Sequence, residues 1–123
     1  MRDAPCYEEA VEWWKKAAAQ GNANGQNWLG VAYEHGQGVP QSFERAAEWY
    51  EKAVRLHARR GDRGALAQAY NNLGSLYGEM GSFEKSEKFL RESVRIRERS
   101  GHASLALGYA NLGEVLLKRD DPD

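Results

Sequence analysis

The sequence predicts an all-α fold of about six helices stacked as antiparallel pairs, and three observations predict it. A pattern of bulky and small residues occurs three times, as YEEAVEWWKKAA at 7–18, FERAAEWYEKAV at 43–54 and FEKSEKFLRESV at 83–94. A second pattern alternates with it, as QNWLGVAYEHG at 26–36, YNNLGSLYGEMG at 70–81 and YANLGEVLLKRD at 109–120. Gly21, Gly36, Gly61, Gly81 and Gly101 each fall just past a helical run, where a left-handed C-terminal cap is wanted.

The first helix, over about 5–20, sets the bulky-small pattern. Tyr7, Phe43 and Phe83 share one column, at steps of 36 and 40 residues. Ala10, Ala46 and Ser86 follow three residues on, then Trp13-Trp14, Trp49-Tyr50 and Phe89-Leu90, then Ala17, Ala53 and Ser93. At helical periodicity this places a small stripe beside a large one on a single face. The small stripe lets a neighbouring backbone approach, and the rings, Trp13 and Trp14 included, are expected to fill the core beside it.

The second helix, over about 23–35, sets the other pattern. Its Leu29-Gly30 recurs as Leu73-Gly74 and Leu112-Gly113, with Tyr33, Tyr77 and Leu116 one turn later. A mid-helix glycine costs about 1 kcal/mol relative to alanine. Three at one repeat position imply a helix crossing too tight for a Cβ. The third helix, about 42–60, and the fifth, about 82–100, repeat the first, with Ser42 and Ser82 placed as N-caps. The fourth, about 64–80, and the sixth, about 103–119, repeat the second. Gly25, Gly78 and Gly108 lie outside the repeat column and read as weak points in their helices. The short connections make successive helices antiparallel neighbours.

Composition narrows the function. The chain has 123 residues, 41% of them hydrophobic, which suits one helical domain over 1–123. A net charge of −1 gives no global attraction to nucleic acid or an anionic membrane. Cys6 is the lone cysteine, so no internal disulfide forms and a cysteine-rich zinc site is excluded. No apolar run is long enough to span a membrane, and the polar start MRDAPCYEEA shows no signal peptide, so a cytoplasmic location is expected. No catalytic constellation stands out. His35, His57 and His102 are scattered without metal-ligand spacing, and GQGVPQ lacks the Lys-Ser/Thr of a phosphate loop. No enzyme activity, metal or cofactor is expected.

These residues resemble two related repeat families. Residues 5–60 resemble Sel-like repeats, through Leu29-Gly30, the loop Gly36-Gln37-Gly38-Val39, the run Ala46-Ala47-Glu48-Trp49-Tyr50 and the run Ala17-Ala18-Ala19-Gln20-Gly21. Residues 64–119 resemble tetratricopeptide repeats of the longer, roughly 40-residue kind. Ser86 and Ser93 depart from the family's alanines, and Gly25 replaces another. The resemblance implies a right-handed α-solenoid whose concave side is lined by the helices of the Leu-Gly pattern. It opens on a helix of one type and closes on the other, which fits a segment of a longer array or a scaffold that associates with itself through uncapped terminal helices.

The resemblance also implies a function, recognition of a peptide or partner-protein segment in the concave groove. In peptide-binding tetratricopeptide proteins the residue before Leu-Gly is often an asparagine bonded to the ligand backbone; here those positions hold Trp28, Asn72 and Asn111. An amide donates and accepts at once, which suits an extended peptide. By the same register the lining takes in Asn24, Asn27, Val31, Glu34 and His35, then Gln68, Asn71, Ser75 and Glu79, then Leu107, Ala110, Glu114 and Lys118. Few lysines occur there, so an internal segment is expected in preference to a free C-terminal carboxylate. Arg91, Arg95 and Arg99 form a basic stripe, as do Arg55, Arg59, Arg60 and Arg63; RNA or anion binding through them is the less favoured reading, because interleaved glutamates balance the charge.

Overall fold

The computed structural model describes residues 6–100 and 105–120, and among them every regular element is a helix. The order is α1 (Tyr7–Ala19), α2 (Ala23–His35), α3 (Phe43–Arg60), α4 (Arg63–Glu79), α5 (Phe83–Ser100) and α6 (Leu105–Asp120). Observed and expected helix bounds agree to within two residues, apart from the start of the sixth helix at 103–104, which lies outside the described residues, as do Gly101 and His102. The chain divides into two units, Met1–Leu56 and His57–Asp123.

The punctuation works through hydrogen bonds. Gly21, Gly36, Gly61 and Gly81 all adopt positive φ and end their helices. Asn22 and Asp62 cap α2 and α4 by accepting from the amides of Gly25 and Ala65. The Ser42 hydroxyl accepts from the amide of Arg45 at 3.2 Å, and the Ser42 and Ser82 carbonyls take the first bonds of α3 and α5.

In the first unit, α1 and α2 are antiparallel: Trp14 stacks on Trp28 with centroids 5.4 Å apart, and Gly25 lies against Ala17 and Ala18. Val11, Ala18, Leu29 and Ala32 form the core there, with Trp14, Val39 and Trp49 packed on it. From α3, the buried residues Ala46, Ala47, Tyr50 and Ala53 present the small-and-bulky stripe. A Cβ on Gly30 would stand 2.5 Å from the Tyr50 ring, so this crossing exists only because position 30 is glycine.

The loop from Gly36 to Ser42 folds back over the end of α2. The amides of Gly36 and Gln37 reach the Ala32 carbonyl, the Ser42 amide reaches that of Tyr33, and the Gln41 side chain donates to that of Glu34 at 2.8 Å. Three of the carbonyls that a helix end leaves orphaned are thereby satisfied. A Cβ on Gly38 would meet the Tyr7 carbonyl at 2.6 Å, so the loop also closes on the start of α1.

In the second unit, α5 runs antiparallel to both α4 and α6. The Ser86 and Ser93 hydroxyls donate to the carbonyls of Gly74 and Ala67, at 2.6 and 2.8 Å. Phe89 stacks on Tyr70 and Tyr77, and Gly74 meets Leu90 where a Cβ would stand 2.7 Å away. Towards α6, Tyr109 donates to Glu98 and Arg119 pairs with Glu87. Three glycines outside the repeat column mark close approaches: Gly25 faces Ala17, Gly78 faces Ser86 and Gly108 faces Val94.

One packing expectation is corrected. Trp13 shares a column with Trp49 and Phe89 yet is 62% exposed, with Lys16 over its ring. Its column requires a helix against it to become core, and α1 meets α2 through its other face.

Candidate functional site

The Leu-Gly helices supply the candidate site, and each unit presents its own part. In the first unit, Asn27 and Val31 are half-buried on α2, while Asn24 and His35 are exposed. Trp28 is 50% exposed, one ring face covered by Trp14 and the rest of the indole at the surface. Glu34, which the register put in the lining, is buried instead: the Tyr50 hydroxyl donates to its carboxylate at 2.7 Å. This carboxylate belongs to the α2–α3 packing, and the register missed it because the position two residues before the closing glycine turns towards α3.

In the second unit, five of the expected residues converge. Ser75 and Glu79 from α4 and Asn111, Glu114 and Lys118 from α6 line one cleft, with Gly78, Leu90 and Val115 as its apolar part; it encloses about 190 Å³. Glycine at 78 keeps that wall of α4 low. Lys118 and Glu114 pair along α6 at 3.8 Å, so the rim carries both signs of charge.

The amides beside the cleft are already ordered into chains. Asn111 donates to the side-chain carbonyl of Asn71 across α6 and α4 at 3.1 Å, and Asn71 itself is buried. Gln68 donates to Asn72 at 3.1 Å and accepts from Arg97 at 3.0 Å. Arg97 is buried, and desolvation pulls its guanidinium pKa below the usual arginine range. Such chains hold the side chains of Gln68, Asn72 and Asn111 in fixed orientations, so less rotamer entropy is lost when a ligand backbone pairs with them. Side-chain placement of Leu107 lies outside the described residues; Ala110 is exposed on α6.

The chemistry available here is recognition by hydrogen bonds and shape. Among the described residues, no group of three His, Cys, Asp or Glu side chains could hold a metal ion, and no helix is long and apolar enough to cross a membrane. His57 is buried, which lowers its pKa; Asp62 works against that shift and Arg60 adds to it. Of the basic stripe, Arg91 pairs with Glu87 at 2.8 Å and Arg95 with Glu92 at 3.2 Å, each within α5.

Comparison with known proteins agrees with the repeat register. Residues 7–22 and 23–57 match the Sel1 repeat, and residues 41–99 match the tetratricopeptide repeat. Both matches include most of α3, whose FERAAEWYEKAV satisfies the packing pattern of either. The chain is also similar to the chitin synthase regulator SKT5 of Saccharomyces cerevisiae, at 35% identity over 94 residues, which is 73% of this chain and 12% of the yeast protein. The likeness therefore concerns a small part of that relative's length.

Proposed function

The chain belongs to the tetratricopeptide and Sel1 repeat family, and from that premise we propose that it is a non-enzymatic protein–protein interaction module whose α4–α6 cleft binds an internal segment of a partner protein. The observation that carries this reading is the convergence of Ser75, Glu79, Asn111, Glu114 and Lys118 around one cleft with an apolar floor. Amides on α4 and α6 would pair with the backbone of an extended segment, and Gly78, Leu90 and Val115 would take an apolar side chain. On α2, Asn27, Trp28 and Val31 offer a second contact surface of the same type. The yeast relative is named as a regulator of a chitin synthase; a regulatory segment that works by holding another protein fits the same chemistry.

The test is a peptide library screened against the purified chain, with hits titrated by calorimetry. Combined Asn72→Ala and Asn111→Ala substitution should weaken binding about tenfold or more, with helicity unchanged by circular dichroism. Amidating the peptide's C-terminus should leave affinity unchanged. A large loss on amidation would mean that a terminal carboxylate, not an internal segment, is recognised.

A further inference from the structure

The sequence holds six asparagines, and Asn24 alone is followed by glycine. Such a pair can cyclise. The glycine amide nitrogen, once deprotonated by base, bonds to the asparagine's side-chain carbonyl carbon, and ammonia leaves. Water then opens the five-membered imide. Attack at the side-chain carbonyl gives aspartate. Attack at the main-chain carbonyl gives isoaspartate, with the chain rerouted through the former side chain. A side chain on the following residue hinders closure, which disfavours the other asparagines, placed before Ala23, Trp28, Asn72, Leu73 and Leu112.

The fold opposes the reaction at one defined place. Asn24 is exposed in the first turn of α2, and the Gly25 amide donates to the Asn22 side-chain carbonyl at 2.9 Å. That bond engages the proton the attacking nitrogen must lose. Asn22 is fixed in turn: its amide donates to the Ala17 carbonyl and its own carbonyl accepts from the Gln26 amide, both at 3.1 Å. Gly25 is buried, and a Cβ there would stand 2.8 Å from that of Ala17. Ring closure has to turn the Asn24–Gly25 peptide out of the helix, so the Asn22 cap must open first. A first turn opens at lower cost than a whole unit unfolds.

We propose that Asn24 is a site of spontaneous deamidation gated by the Asn22 cap. The two products differ in consequence. Aspartate keeps the length of the main chain and puts a carboxylate in the first turn, where a helix favours it. Isoaspartate adds a carbon to the main chain directly before Gly25, which no longer fits against Ala17 and Ala18. The stack of Trp14 on Trp28 between α1 and α2 is lost with that fit. Deamidation is a one-way loosening of this helix pair, and it is independent of peptide recognition at the α4–α6 cleft.

The test incubates the intact chain in mildly alkaline buffer and follows residue 24 by peptide mapping and mass spectrometry. Product should accumulate in the folded protein, and Asn24→Gln should yield none. Asn22→Ala should raise the rate about fivefold, the equivalent of a lost cap. Asn22→Asp keeps the acceptor and should not raise it. Tyr50→Phe loosens the same unit at the far end of α2, and should leave the rate near that of the unaltered chain. Circular dichroism checks that each variant is folded, and in the near ultraviolet the purified isoaspartate form should show a changed indole signal. Absence of product at residue 24 in the folded chain overturns the proposal. So does an Asn22→Ala rate no higher than the unaltered one, a Tyr50→Phe rate that rises as far, or an isoaspartate form with its indole signal intact.

Discussion

The two units build the same helix crossing with different chemistry. In the first, the small column on α3 is alanine, Ala46 and Ala53, fully buried, and the polar link is a long one: the Tyr50 hydroxyl on the Glu34 carboxylate. In the second, the small column on α5 is serine, Ser86 and Ser93, equally buried, and each hydroxyl bonds the backbone of α4 directly. The register dictates size. Polarity is then free to vary, provided each buried polar atom finds a partner nearby.

The comparison can be broken most severely by violating size. Ala46→Leu should destabilise the fold by about 1–3 kcal/mol, because the crossing at a fully buried position has no room for extra methylenes; urea unfolding measures it, and an unchanged midpoint would remove the packing column from the argument. Next comes polarity in the first unit. Tyr50→Phe keeps the ring against Gly30 but takes the donor from the buried Glu34 carboxylate, for a loss of about 1–2 kcal/mol. Adding Glu34→Gln to that variant should recover part of it, since a neutral amide is less costly to bury than a charge.

The smallest effect sharpens the comparison. Ser93→Ala removes one hydroxyl bond to a carbonyl, and should cost about 1 kcal/mol in thermal or chemical unfolding. The exchange makes the second unit chemically like the first without altering its packing. A loss as large as that of Ala46→Leu would show that the serines set the crossing themselves.

Much of the fold was legible because its signals are local. Glycine turns, serine caps and the Leu-Gly crossings depend on a residue's own conformation or on a repeated demand for space. The site was legible in part. Ser75, Asn111 and Lys118 follow from helical register, and the cleft they line follows from α4 and α6 standing close enough for Asn111 to reach Asn71. What escaped depends on which neighbour is present. Trp13 and Phe89 share a column, but only Phe89 has a helix carrying tyrosines against it. Gly78 and Gly108 read as flaws until Ser86 and Val94 are seen beside them. Glu34 read as a surface carboxylate because nothing in its own turn announces Tyr50, sixteen residues away.

The loop from Gly36 to Ser42 behaves as a fixed-length strut. Its bonds to the end of α2 and its contact with Tyr7 at Gly38 leave no slack to absorb an added residue. The turns at Gly61 and Gly81 differ, since a Cβ at either would meet open space. Grafted epitopes, labels or longer connectors therefore belong at those two turns, while the strut keeps the α1–α2 pair in one geometry.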